Sequence, residues 1–448
     1  MKVNDWLLHI GLFITVTISL VLSSIIWFNP AIFQRDAKTT TATDAGTSTK
    51  TNKKMSDVYL PIQIVKNEAG GSYQLSSSKV DLIQKLRKQI KHWNFVSISQ
   101  LNYKNATEYQ KLLSKNQTVA LNYGAPVTIE LFDQAFGQQI NKFKNAKYNR
   151  ILVLLRNKRQ LYLMNDQKRV VYLVKFKNHS LDSYVNSLNS GNLLQLPVNY
   201  TLAADQYQLS YKEPVSLPSY SYLINKANES SLVPLLLSSN SQSTITTKVQ
   251  KNKTIYTDGE DNRITINNRT GKIEFFSYSR LNYYEGTQRT HVRKLSYYDR
   301  LKQSYLRISS ISNFLDGIRY ASYNPNNQEV VFNSFVAGFP VINENNYGSF
   351  DIQILDLSGQ RYLFSLCSLQ VQVPSSEQKI TLPATAQVVQ RLVQAGFAAN
   401  KINQIKIGYQ WQTNQSSKLV ADLVPTYFID YNGQWISYQD LLATKTRQ

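Results

Sequence analysis

The chain has a single cysteine, Cys367, in 448 residues. That excludes an intramolecular disulfide, an iron–sulfur cluster and every multi-cysteine zinc site. Its four histidines (His9, His92, His179 and His291) offer little to a metal, and no Gly-rich phosphate loop is present. Charge is sparse, 18% of residues against the usual quarter, and acidic residues are the scarcer kind. With 50 Lys and Arg against 29 Asp and Glu, the net charge is +21. What fills the chain instead is 42% hydrophobic residues and 29 tyrosines among many Asn, Gln, Ser and Thr. That is enough apolar material for real cores and excludes a disordered polymer.

Trp6 to Phe28 (WLLHIGLFITVTISLVLSSIIWF) carries one ionisable residue, His9. Its 23 residues would span about 34 Å as a helix, enough for a hydrocarbon core of about 30 Å. Trp6 and Trp27 mark the two interfaces, and Asn29-Pro30 stops the helix. The run is too long, and Lys2 too slight an n-region, for a cleaved signal peptide. We read residues 1–5 as a cytoplasmic tail, 6–28 as a transmembrane signal anchor and 29–56 as a flexible Ser/Thr-rich tether. Everything beyond is placed outside the membrane. Gly11, Thr15, Ser19 and Ser23 recur every four residues and form a ridge of small side chains suited to a contact with another helix.

Patterning beyond the tether indicates an α+β chain of about three extracytoplasmic domains with antiparallel sheets and packed helices. Residues 57–178 form an N-terminal α+β domain. In it DVYLPIQIV reads as a strand, and SSSKVDLIQKLRKQIKHW as an amphipathic helix with Val80, Ile83, Leu86, Ile90 and Trp93 on one stripe, its start capped by the serines. TIELFDQAFG is a helix closed by Gly137, and YNRILVLLR, RQLYLMN and KRVVYLVKF form a meander. Residues 179–313 form a middle domain of hairpins, with turns at Asp258-Gly259 and Arg269 to Gly271 and a helix carrying Leu295, Tyr298, Leu301, Tyr305 and Ile308. Residues 314–448 are β-rich with one helix, in which Val388, Val389, Leu392 and Val393 share a face and Gly396 ends it. Asn432-Gly433 is the strongest hairpin signal of the chain.

No complete catalytic constellation emerges. The best candidate is Ser76-Ser77-Ser78-Lys79, a Ser-x-x-Lys pattern of the penicillin-binding class, with Ser187-Leu188-Asn189 and Arg269-Thr270-Gly271 as weak second and third elements. In a chain this rich in Ser and Lys such triplets arise by chance. Cys367, within the alternating run FSLCSLQ, reads as a buried structural thiol. We therefore expect no catalytic residue, no metal and no cofactor. The positive excess lies beyond the anchor. Outside a membrane it selects an anionic wall polymer or lipid headgroup rather than nucleic acid, for which no motif exists.

The short tail, single anchor and tether, together with several stretches of the last third, resemble the YycH family. The stretches are FLDGIRY (with Gly317, Arg319 and Tyr320), FVAGFPV (Phe335, Gly338, Phe339, Pro340), Leu382-Pro383, IKIGY (Gly408, Tyr409), and Pro425 followed by NGQW (Gly433, Trp435). The resemblance implies a bitopic extracytoplasmic regulator of a WalK (YycG) sensor histidine kinase in low-GC Gram-positive bacteria. It implies no enzymatic activity, a complex with the kinase and a YycI-like protein formed partly through transmembrane helices, and control of cell-wall metabolism. A rival of another class is a wall-associated binding or adhesion protein on the same anchor, and a third the Ser-x-x-Lys hydrolase.

Overall fold

The computed structural model describes Val16 and residues 54–446, apart from 157–158, 179, 190–192, 204–205, 238–243, 259–260, 279–294, 312–316, 356–358 and 375–377. The anchor run and its ridge of Gly11, Thr15, Ser19 and Ser23 lie outside these residues, and no described helix is long and apolar enough to cross a membrane. Residues 52–448 form one compact unit, mixed α+β and built on two large, almost wholly antiparallel sheets.

The first sheet holds nine strands among the described residues: β1 (Gln63–Glu68), β2 (Gly71–Ser76), β3 (Phe95–Asn102), β4 (Thr118–Thr128), β5 (Lys147–Leu154), β6 (Gln160–Asn165), β7 (Val170–Phe176), β8 (Leu194–Ala203) and β9 (Gln206–Tyr211). Their order is β3-β7-β6-β5-β4-β1-β2-β8-β9, so the expected β5-β6-β7 meander is present and flanks the central β4. Side chains alternate across the sheet with the period of a strand. Ile64, Leu121, Ile151, Val153, Leu161 and Leu163 enter one core, while Val65, Ala120, Leu152, Leu154, Tyr162 and Met164 enter the other. Helices Leu82–Ile90, Ile129–Phe136 and Asp182–Leu188 cover the first face. Of the expected stripe, Ile83, Leu86, Ile90 and Trp93 are buried and Val80 packs at its margin.

Two local readings are corrected. The run from Asp57 is not one strand: Met55–Val58 is a helical turn, Pro61 intervenes, and pairing begins only at Gln63. Tyr59 is drawn out of any strand because its ring is wholly buried and its hydroxyl donates to the Leu301 carbonyl at 2.7 Å. The helix after the serines starts at Leu82, capped by Asp81, whose carboxylate accepts from the Gln84 amide at 3.0 Å. Ser77 Oγ instead closes a local turn, accepting from the Lys79 and Val80 amides.

The second sheet runs from Thr246–Gln250 at one edge to Cys367–Val373 at the other. Its centre is Glu329–Val336, which pairs with Ile318–Asn324 on one side and Ser349–Leu355 on the other, then turns through Ala337 and Gly338 into Phe339–Ile342. Phe339–Ile342 runs parallel to the long strand Ile402–Thr413, which pairs in turn with Val420–Tyr431. FSLCSLQ is not one strand. It breaks at Leu366, whose side chain enters the core, and Cys367 beyond it is only part-buried. Helix Thr385–Gln394 buries Val388 and Leu392, while Val393 is 47% exposed, so its apolar face is narrower than the sequence implied. Asn432 and Gly433 have φ of 54° and 81°, as a type I′ hairpin demands.

Candidate functional site

The residues that carry the family-like pattern fall into two neighbouring knots where the sheets meet. In the first, Gly317 (φ 72°) turns the chain into Ile318–Asn324. Arg319 then reaches Asp81 at 2.6 Å and the Pro61 carbonyl at 3.3 Å. Tyr320, fully buried, and Tyr297 share the Pro126 carbonyl as acceptor, at 3.3 and 2.6 Å. Burial holds the Tyr320 hydroxyl well above its ordinary range, with the neighbouring Tyr297 adding to the effect. Helix Tyr297–Ile311, expected to link the middle segment, is thus fastened to the first sheet.

In the second knot Phe335 and Pro340 are opposed across the turn in which Ala337 and Gly338 take φ of 49° and 81°. Gly408 lets the Pro340 carbonyl approach, for a Cβ on it would stand 2.8 Å from that oxygen and 3.1 Å from the Phe428 ring. Phe339 meets Tyr409 edge-on, and Tyr409 opposes Pro425 while its hydroxyl donates to the Pro218 carbonyl at 3.0 Å. Trp435, on the strand behind Gly433, lies under the Lys406 ammonium, 3.6 Å from ring centroid to Nζ.

Among the described residues three hollows adjoin the knots. An inner cavity of about 100 Å³ is walled by Phe335, Pro340 and Trp435 on one side and by Asn122 and Arg150 of the first sheet on the other. A cleft of about 580 Å³ lies between Ser76–Lys79 and Gly317, Arg319 and Gly338. An outer cleft of about 760 Å³ runs from Trp411 and Trp435 to Glu329 and Asp351. Burial and the facing Glu329 raise the Asp351 carboxyl to about 7.

Behind the inner cavity lies a buried ion pair. Arg150 Nε contacts Asp166 Oδ1 and Oδ2 at 3.0 and 2.9 Å, and Nη2 reaches Oδ2 at 2.7 Å and also donates to the Tyr207 carbonyl. Tyr109, Asn149 and the Tyr207 amide complete the shell of Asp166. Desolvation would lower the Arg150 pKa, but Asp166 outweighs it and the net shift is upward. Arg150, Asp166 and Lys406 drew no notice in the sequence. For Arg150 and Lys406 the signal was a charge inside the apolar runs YNRILVLLR and INQIKIGYQW; Asp166 gave none.

The Ser-x-x-Lys residues lack the expected setting. Ser76 ends β2, is buried, and donates its hydroxyl proton to the Ala337 carbonyl at 2.6 Å. Ser187 Oγ donates to Ser183 O, and Asn189 Oδ1 accepts from Lys66. Arg269 to Gly271 form a hairpin turn, as anticipated. Burial raises the Cys367 thiol, so its thiolate is disfavoured.

The family model described as the YycH protein N-terminal domain matches residues 9–192, and that of the YycH protein C-terminal domain matches residues 205–444. In structure the chain is similar to the crystal structure of YycH from Bacillus subtilis, at 17% identity and a TM-score of 0.66, over 87% of this chain and 98% of that one. No curated protein matches the chain in sequence. Because the two halves of one family pattern follow each other in order along nearly the whole length, the chain belongs to the YycH family.

Proposed function

We propose that this protein is a membrane-anchored, non-enzymatic regulator of a WalK-type sensor histidine kinase and so of cell-wall metabolism. The observation that carries the reading is the ordered match of both YycH domain patterns, over residues 9–192 and 205–444. The apolar run Trp6–Phe28 serves as a single-pass anchor with the bulk of the chain extracytoplasmic. Kinase and a YycI-like partner are contacted through that helix, by Gly11, Thr15, Ser19 and Ser23, and through the outer body. The net charge of +21 favours surroundings of anionic lipid headgroups or wall polymers.

Two measurements test this. Protease added to intact protoplasts cuts within residues 39–54 and releases a soluble fragment; full protection overturns the topology. Affinity capture of the full chain from detergent-solubilised membranes retains a histidine kinase. If the chain comes down alone at every detergent and salt condition that keeps known membrane complexes intact, the regulator reading fails.

A further inference from the structure

The first sheet ends on an unguarded strand. β3 stands at one end of the strand order and pairs on one side, with β7. The Tyr103 amide donates to the Arg169 carbonyl at 2.9 Å. Antiparallel ladders alternate. Leu101, Ser99 and Ser97 therefore also turn their backbone groups toward β7, while Ile98, Gln100 and Asn102 turn theirs outward. Among the described residues nothing takes the N–H and C=O groups of those three.

Such a row is a template for another strand, and proteins usually block it with charge, proline or a bulge. From Trp93 to Tyr103 the sequence has no charged residue and no proline. The one irregularity of the pairing, at Phe95–Ser97, precedes the regular stretch Ser97–Asn102. Edges elsewhere are guarded. β9 lies under helix Thr385–Gln394, with the Tyr211 amide donating to Thr385 Oγ1 at 2.8 Å. Thr246–Gln250 carries Lys248, and Cys367–Val373 loses register opposite Tyr222–Ile224.

The surroundings of β3 select the occupant. Lys175 stands opposite Ser97, and the Lys177 amide donates to the Asn94 carbonyl at the same end. Arg169 pairs with Tyr103 at the other end, and Lys104 follows it. Asp166, at the turn before Arg169, is taken by Arg150. A second copy pairing antiparallel would set these cationic ends against each other. The chain's own residues 29–53 hold more Lys and Arg than Asp and Glu, so they complement the edge no better. Leu101, 39% exposed beside buried Val171, offers an apolar side chain for a new strand to pack on.

We propose that β3 is a docking edge for an extended acidic segment of another protein, which adds to the first sheet as a further strand. Backbone pairing with Ile98, Gln100 and Asn102 supplies the grip. An apolar residue packs beside Leu101, and carboxylates near the segment's ends meet Lys175 and Arg169. The edge belongs to the folded body, so this interaction stands or falls separately from the kinase reading.

The probe is a labelled peptide of alternating Thr and Val with paired Glu at each end. Fluorescence anisotropy with the detergent-solubilised full chain gives saturable binding. The twin with Lys for Glu binds at least about tenfold more weakly, a gap that salt narrows. A version N-methylated at alternate amides keeps the charge, loses the pairing and does not bind. Gln100→Pro and Asn102→Pro each remove an outward N–H and leave the β7 ladder whole. Both melt with the parent and weaken the acidic peptide about tenfold. No saturable binding, equal binding of the Lys twin or the N-methylated version, or an affinity untouched by either proline overturns the proposal. So does a dimer of the full chain that Gln100→Pro dissociates, which would assign the edge to a second copy.

Discussion

The carbonyl oxygen of Ala321 occupies the space a side chain on Gly124 would need: a Cβ built there stands 1.8 Å from that oxygen and 2.8 Å from its carbon. Gly124 lies where β4 loses register with β5, the pairing jumping from Asn122–Arg150 to Val127–Tyr148. The irregular strand and the missing side chain together let the second sheet lie directly on the first. Gly124→Ala should therefore destabilise the outer body by at least the 1–3 kcal/mol typical of overpacking, since backbone rather than a flexible side chain must yield. Gly433→Val meets open space but a φ of 81°, and should cost about 1–3 kcal/mol through backbone strain alone. Denaturant melts of the two variants check both values, and an unchanged midpoint for Gly124→Ala would contradict the close approach.

The Arg150–Asp166 pair has side chains 5% and 0% exposed, so removing one partner strands the other. Asp166→Ala should lower stability by about 3–5 kcal/mol, and Arg150→Met by a similar amount. The double variant should recover part of the loss, because the uncompensated charge is gone. Chemical denaturation of all three forms measures the coupling; additive losses would show that the pair does not act as a unit.

Asp351 gives a pH dependence of defined sign. Its folded carboxyl titrates at about 7 against an ordinary 3.8, raised by burial and by Glu329. Between those values the folded form holds a proton that the unfolded form has released, so stability from this group is full below pH 4 and is lost as pH rises to 7. Asp133, raised to about 6 mainly by burial, tilts the same window in the same direction. Asp351→Asn should therefore melt higher than the parent at pH 8, the difference shrinking toward pH 4. Melting temperatures across that range report it, and a constant difference would place the carboxyl outside the desolvated cleft.

Local patterning made much of the fold legible. The β5-β6-β7 meander, the Gly137 helix end and the Asn432-Gly433 hairpin all depend on neighbours within a few residues. What escaped depends on partners far along the chain. Tyr59 leaves a strand-like run because its hydroxyl donates a hydrogen bond to the Leu301 carbonyl, and the Ser76 hydroxyl is claimed by the Ala337 carbonyl. Strand β2, with its glycine start, declares no clear alternation, and its place is set by β1 and β8 on either side. Of the candidate site, the residues that build the two knots were visible as short Gly-, Pro- and aromatic-rich words. The cavity between them was not, because Asn122, Arg150 and Lys406 lie on separate strands that only the packing of the two sheets brings together.

The ridge in the anchor yields a prediction that separates two ways of reaching a kinase. Gly11, Thr15, Ser19 and Ser23 fall on one side of a helix with a four-residue repeat, while Leu12, Phe13, Leu20 and Leu22 fall on others. Lipid tails are as apolar as leucine, so helices in a bilayer associate through close packing and hydrogen bonds, both of which small hydroxyl-bearing residues permit. Each interhelical polar contact contributes only about 0.6 kcal/mol, so several along the ridge must act together, and a bulky side chain at one end should spoil them jointly. Replacing Gly11 and Thr15 with leucine should reduce co-purification of the kinase or the YycI-like partner from membranes. Leu12→Ala with Phe13→Ala should leave it intact, because on the proposed anchor helix those positions lie away from the ridge. Equal loss from both pairs would mean that the helix serves only as a tether, and no loss from either would transfer the contact to the outer body.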